Sequence, residues 1–437
     1  MQPITWPGNS YWPLWQRIIF RFVFIYFLLF IAPWTWIEFI PGLDAVTAFY
    51  YQFIDWLTNS ADKYIFHSYK ELVPLNGSGD TSYAWTQLKL FLLLALAGTL
   101  IWSVADGKRT NYNRTAWWFK IILRYYIIMP CFSYGFIKLF HMQMPFPGNS
   151  LMATPVGDLL PMRLSWIYMG YSNGYQFFAG AMEVLAGFLM LFRRTATAGT
   201  LLAAGVFLNV ALMNIGYDIP VKLYSQHLFF GCLVLLAFEY KRLFSFLINR
   251  NAAAGNMYQV SFPAKWMRIT SLVMKLAFVV FVVITGFYKL YAEINSMKAA
   301  KGTPPFEKGM YDVTLFVKNG DTIPAFVTDT LRWKDVAIDD ERGGSVNTTD
   351  TMFWQRYRRG YFSYKVNDSL HTVTFSRSSW QMNVAELFSL NYQLKDNNTI
   401  SLSGKMRTDS VLVELKKSNR HFQLAEKQFH WLSEYNR

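Results

Sequence analysis

The chain has 437 residues, 53% of them hydrophobic and 18% aromatic, with only 16% charged; an ordinary soluble protein carries about a quarter charged residues. Its net charge of +14 would suit a nucleic-acid binder if it were spread over a folded soluble domain, but it is not. Up to Glu293 there are 22 basic and 12 acidic residues, and from Met297 onward 20 and 16, so the excess sits where apolar blocks near 20 residues recur, the length a hydrocarbon core of roughly 30 Å requires of a helix.

The predicted elements begin with a span over 17–40, preceded by Arg17 and Arg21. It is too long for a signal-peptide core and lacks a small-x-small cleavage site, so it is expected to stay as an anchor. A segment of some 40 residues follows, acidic at Asp44, Asp55 and Asp62 and rich in aromatics (Phe49, Tyr50, Tyr51, Phe53, Trp56), as suits a membrane interface. Further spans are predicted at 84–105, 117–140, 174–192, 196–214, 226–246 and 269–291, about seven in all. The fold expected is therefore an all-α polytopic membrane bundle followed by a C-terminal antiparallel all-β domain, barrel or sandwich. The parts are an N-terminal region (1–115), a helical core (116–250), a linker with the last span (251–299) and a strand-rich domain (300–437).

Orientation follows from the short loops. With the N-terminus inside, the inner segments hold eleven cations, among them Arg17, Lys108, Arg109, Arg193, Arg194, Lys241 and Arg242. The outer loops hold four: Lys63, Lys70, Arg163 and Lys222. An odd number of spans then places the C-terminal domain outside. Both cysteines, Cys131 and Cys232, fall within spans, so the exported domain is not disulfide-stapled. A redox pair is one reading of these two thiols; two small apolar core residues is the default.

Small residues (Gly180, Ala181, Ala186, Gly187; Ala203, Ala204, Gly205) mark close helix approach in the fourth and fifth spans. The stretch 250–263 reads as a mobile linker. A short echo, Gly135-Phe-x-Lys138-Leu and Gly286-Phe-x-Lys289-Leu, closes two outward-running spans. From Lys301 the period changes to two. "YDVTLFVKNGDTIPAFV" alternates about Asn319-Gly320, a strong hairpin signal, and "YFSYKV", "HTVTFS", "FSLNYQL", "TISLSG" and "SVLVELK" continue the pattern. Arg356, Arg358 and Arg359 read as a solvated strand edge or a headgroup contact.

An ionisable group within a span is costly and marks a candidate site. Glu183 lies about nine residues into its span, roughly 13 Å deep at 1.5 Å per residue, so it is either a neutral, hydrogen-bonded group or a functional one. Lys138, near the outer end of the third span, either snorkels to the interface or points inward as the partner of Glu183. His141 and His227 lie on the same outer side. Asn209 and Asn214 supply further polar groups there, as interhelical hydrogen bonds or as ligand contacts. No two histidines have ligand spacing, so no metal is expected. No phosphate loop, nucleophile elbow or haem motif is present.

The stretch from about Trp117 to Tyr240 resembles the DoxX family of bacterial membrane proteins. The residues that carry the likeness are "YGFIKLF" closing one span and "FFAGAMEVLAGFLMLFRRTATAGTLLAAGVFLNVAL". They match a Gly-x-x-Lys helix end at Lys138 and a Gly-x-x-Glu-x-x-x-Gly helix at Gly180, Glu183 and Gly187. The segment "WWFKIILRYYIIMPCFSYGFIKL" is also similar to a helix of the vitamin K-dependent carboxylase-like membrane proteins. The resemblance implies a four-helix core opening outward in a bacterial inner membrane, with the N-terminus cytoplasmic and the C-terminal domain periplasmic. It also implies quinone-linked redox chemistry, with Lys138 and Glu183 exchanging protons and His141, Asn209, Asn214 and His227 around a membrane quinone. Membrane lipids and a periplasmic protein or redox partner are the associations expected, with no nucleic acid. The rival reading is a non-enzymatic anchor that presents a ligand- or partner-binding β-domain; whether any reaction is catalysed is left open.

Overall fold

A backbone in hydrocarbon must satisfy its own hydrogen bonds, and the apolar blocks accordingly fold as helices. The computed structural model describes residues 11–39, 42–249, 264–299, 306–326, 332–340, 343–377, 385–396, 398–426, 431–432 and 434. The expected linker at 250–263 lies outside these residues. The helices are α1 (Leu14–Ile31), α2 (Asp44–Ala61), α3 (Ser82–Ala105), α4 (Asn113–Leu139), α5 (Asn149–Met152), α6 (Pro161–Tyr171), α7 (Asn173–Leu191), α8 (Ala196–Gly216), α9 (Lys222–Ala237), α10 (Tyr240–Leu247), α11 (Lys265–Phe278) and α12 (Thr285–Ala299).

Four helical stretches among the described residues are long and apolar enough to cross a membrane: Leu14–Glu38, Ser82–Ala105, Asn173–Leu191 and Ala196–Gly216. The other three expected spans are helical in more qualified ways. α4 is 27 residues long but carries Arg114, Lys120, Arg124 and Lys138. α9 is apolar but has only 16 residues, because the span expected to run to 246 breaks at Phe238–Glu239 and resumes as the short α10. The seventh joins α11 to α12 through a π-helical stretch, Val279–Ile284. α1 stops early: Ala32 turns left-handed at φ 45° ahead of Pro33, and a 3-10 segment, Pro33–Phe39, follows.

Two compact units result. The described residues up to Gln143 and from Gly174 to Tyr291 form the helical unit; residues from Met144 to Asn173 and from Ala292 onward form the other. In the helical unit Arg21 is buried. Its guanidinium donates to the Tyr112 hydroxyl (2.7 and 2.9 Å), to Ser103 Oγ (2.8 Å) and to the Asp106 carbonyl (3.2 Å), tying α1 to the ends of α3 and α4. Asp80 caps α9, its carboxylate accepting from the backbone N–H groups of Lys222 (2.8 Å) and Leu223 (2.9 Å), where the helix dipole favours negative charge. α2 exposes Phe49, Phe53 and Trp56.

The second unit is an antiparallel β-barrel. Its strands are β1 (Gly309–Lys318), β2 (Asp321–Thr322), β3 (Asp335–Asp340), β4 (Gly343–Val346), β5 (Trp354–Arg356), β6 (Arg359–Asn367), β7 (Thr372–Arg377), β8 (Glu386–Leu394), β9 (Thr399–Met406) and β10 (Asp409–Lys417). The order β10-β9-β8-β7-β6-β4-β3-β1 closes through a β1–β10 pairing, with β2 and β5 outside the ring. Eight strands leave room only for side chains. Trp333, Phe353, Phe362, Phe375 and Phe388 fill it, and the cavity left beside Trp333, Phe362 and Phe375 is about 10 Å³, no more than about one water needs.

Residues 144–173, expected within the helical core, pack on this barrel instead. Asn149 Nδ2 donates to the Ile338 carbonyl (2.8 Å) and Ser150 N to Asp339 Oδ1 (2.7 Å). Arg163 Nε donates to the Tyr357 hydroxyl (2.7 Å), and Arg358 pairs with Asp158 (3.0 Å). Of the basic trio only Arg358 is solvated, as an exposed edge would have it. Arg359 is buried against Ser345 and Asp335, Arg358 reaches Asp158, and Arg356 lies over the rings of Trp354 and Tyr357.

Candidate functional site

Glycine sets the site geometry. On α4 and α7, Gly135 and Gly180 face each other so closely that a Cβ on Gly180 would stand 2.7 Å from the Gly135 carbonyl oxygen and 2.8 Å from Lys138 Cβ. A Cβ on Gly135 would meet Val184 Cγ2 at 2.7 Å. Gly187, two turns along α7, lies against Cys131 and Phe132, and Gly199 of α8 seats on Met190 and Ala186. Small residues thus permit the backbone approach that helix pairs in lipid rely on. Gly205, expected on the same interface, instead faces open space.

One turn beyond each contact glycine stands an ionisable group, at Lys138 and at Glu183, and the close crossing brings them together. Lys138 Nζ lies 2.7 Å from Glu183 Oε1 and 2.9 Å from Oε2, with both side chains buried. The ammonium also faces the ring of Tyr134, 5.7 Å from its centroid. Tyr134 approaches Tyr224 (ring centroids 6.4 Å), and Tyr224 in turn stands beside Tyr126. A polar seam of one ion pair and three tyrosines therefore runs across α4, α7 and α9 within an otherwise apolar core.

The other predicted residues lie elsewhere. His227 is buried against α1: Tyr26 OH meets Nε2 at 2.5 Å, Nδ1 meets the Leu223 carbonyl at 2.5 Å, and the ring stacks on Phe30 at 3.9 Å. A carbonyl on Nδ1 requires Nδ1–H, so Nε2 accepts from the tyrosine. Asn214 is buried in the α8–α9 turn, donating to Ser225 Oγ (2.9 Å). Asn209 is on the exposed face of α8, with its amide 4.0 Å from Met213 Sδ. His141 follows α4 at φ 58°, its N–H closing the helix on the Lys138 carbonyl (3.0 Å). Among the described residues, His227, Asn209 and Asn214 thus find their partners away from the pair, and His141 meets Lys138 through the backbone. Cys131 and Cys232 are unbridged and packed in the helical core. The two echo segments meet: Phe287 packs on Phe136 and Phe140, at 5.4 and 5.1 Å between ring centroids. Lys289, the counterpart of Lys138, is exposed.

Sequence reading passed over Gln176, fully buried on α7. The spacing Gln176, Gly180, Glu183, Gly187 puts all four on one helical face, which was the available signal. Over 73 residues the chain is 38% identical to the uncharacterized protein YwoB of Bacillus subtilis, which is 17% of this chain and 47% of that protein. The chain thus spans about half the length of the curated relative it matches. No protein-family model matches the chain, and no solved structure does.

Proposed function

We propose that the protein is a DoxX-like multi-pass component of the bacterial inner membrane, N-terminus cytoplasmic and barrel periplasmic, that serves quinone-linked redox chemistry at the Lys138–Glu183 pair. The observation that carries this reading is the pair itself. Two opposite charges buried together in a helical core are costly, and replacing such a pair by apolar residues is often neutral or stabilising, so stability alone gives no reason to keep it.

The donor set fits a quinone. Lys138 spends two N–H groups on Glu183 and has a third on the side of Tyr134, and ammonium and phenol are the donors that carbonyl oxygens accept. Tyr134 is 37% exposed and with Tyr224 offers aromatic surface for a flat ring. A bound quinone would supply carbonyls that accept two electrons, from a separate reductant, together with two protons. On the protein side, Lys138 would place an N–H donor beside the ring, Glu183 fixes the amine's position, and the glycine crossing holds both in place.

A photoreactive azidoquinone incubated with the full chain in native-like membranes tests this. The reading expects labelled peptides from 126–138 and 220–228. Labelling confined to other helices, or labelling that excess unmodified quinone does not compete, would sink it.

A second reading has its own observation: residues 144–173 fold with the barrel. The helices then serve as an anchor, and recognition lies on the barrel's outer surface, since its interior is filled. Under this reading an apolar replacement of the Lys138–Glu183 pair leaves the protein's activity in the cell unchanged.

A further inference from the structure

At the other end of the helical unit is a cavity of about 370 Å³ between α4, the α7–α8 turn and the end of α9. Lys120 and Arg124 stand there, 14 to 18 residues before Lys138 and so roughly 20–27 Å away along α4. Arg193, Arg194 and Arg242 complete the charged lining, with one carboxylate, Glu239. That carboxylate is spent: Oε1 holds Lys120 at 2.7 Å and Oε2 holds Arg242 at 2.6 Å. Among the described residues Arg124, Arg193 and Arg194 have no carboxylate at ion-pair distance, and Arg124 Nε is buried with no hydrogen-bond partner. Lys275 of α11 is also within electrostatic reach of Arg124 and Arg193.

Like charges gathered at the edge of a low-dielectric core repel each other, and of the four guanidinium groups lining the cavity only that of Arg242 meets a carboxylate among the described residues. Guanidinium forks match phosphate oxygens in pairs. Trp117 and Leu235, also in the lining, give the cavity an apolar wall. Basic pockets between membrane helices on the cytoplasmic side suit anionic headgroups.

We propose that this cavity binds a phosphate-bearing anion, held by Arg124, Arg193 and Arg194, independently of the Lys138–Glu183 site. The phosphate comes either from the headgroup of an anionic phospholipid or from free phosphate, and the two sources are separable.

Delipidated full-length protein in neutral detergent is titrated with dioleoylphosphatidylglycerol, dioleoylphosphatidylcholine or inorganic phosphate. Thermal unfolding and native mass spectrometry are the readouts. Phosphatidylglycerol is expected to raise Tm saturably and to appear as a bound adduct, with phosphatidylcholine at least tenfold weaker. An equal effect of inorganic phosphate alone would assign the site to free phosphate and still support it. In the Arg124→Gln/Arg193→Gln/Arg194→Gln variant the apparent affinity should fall at least tenfold. Removal of three barrel cations (Lys308→Gln/Lys365→Gln/Lys405→Gln) should leave it unchanged, which separates the site from bulk charge. The wild-type comparison of the two lipids stands even if the arginine variant fails to fold. Equal binding of both lipids, no saturable binding of any probe, or equal loss in both triple variants would overturn the proposal.

Discussion

At the scale of residues, the pair and its glycines form one device, and their responses to mutation should differ in kind. Glu183→Gln leaves a buried ammonium without a counter-charge, a loss of roughly 3–5 kcal/mol. The double change Lys138→Met/Glu183→Leu removes both charges and keeps the volume, so its stability should stay near wild type. Thermal unfolding in detergent distinguishes the two, and equal destabilisation would show that the pair is held for packing. Gly180→Ala should cost about 1–3 kcal/mol by overpacking, since the new methyl has backbone oxygen 2.7 Å away. The meeting of Lys138 with Glu183 is legible in the sequence because both lie in the outer half of their spans. Depth gives height along a helix but not direction around it, and so His227, Asn209 and Asn214 were grouped with a pair that they do not touch. The arginines of the second cavity were hidden for a related reason. Singly, Arg193 and Arg194 are ordinary inner-loop cations and Arg124 a cation near a span's inner end, and only the fold, which sets the α7–α8 turn beside α4 and the end of α9, gathers them.

At the scale of elements, the barrel and residues 144–173 are joined by contacts of very different worth. The Arg358–Asp158 pair is exposed on the arginine side, and such pairs contribute well under about 1 kcal/mol. Asn149, by contrast, satisfies the buried Ile338 carbonyl, and removing it leaves that acceptor unpaired at about 1–3 kcal/mol. Asn149→Ala should therefore speed amide exchange and proteolysis across 149–171, whereas Arg358→Ala should not; equal effects would refute this ranking. The turn from β5 to β6 places Tyr357 and Arg358 at φ 53° and 56°, a two-residue hairpin geometry that usually demands Asn or Gly. Both residues are held from the helical segment, by Arg163 and Asp158, which secures the strained backbone. Strands β6 to β10 were legible from alternation, and Asn319-Gly320 turns with both φ positive, as expected. β3 and β4 were not. Asp335 and Asp339 interrupt β3 because they serve Arg359 and Ser150. Gly344 in β4 is required because a Cβ there would lie 2.2 Å from the Ala337 carbonyl oxygen.

At the scale of the whole molecule, two properties can be checked. Burial raises the Tyr311 and Tyr361 hydroxyls from the ordinary value near 10 to about 12. A raised folded pKa means that the folded state holds its proton longer, so barrel stability is full below pH 10 and declines between about 10 and 12. Tyr361→Phe should lessen that alkaline loss in a circular-dichroism titration, and an unaltered profile would contradict the assignment. The second property is sidedness. Residues 144–173 and the barrel belong to one unit, so cysteines introduced at Val156 and Lys365, both exposed, should react with an impermeant maleimide from the same membrane face. A cysteine at Lys108 should react only from the other face. Reaction of Val156→Cys and Lys365→Cys from opposite faces would contradict the topology.

The central claim is that the buried pair serves a quinone, and the most direct measurement is quantitative lipid mass spectrometry of protein purified from native membranes. Wild type should retain quinone at near-stoichiometric level, and the Lys138→Met/Glu183→Leu variant, folded and of similar stability, should lose it. Equal quinone in the two proteins, or none in either, would contradict the account and leave the barrel surface as the place to seek function.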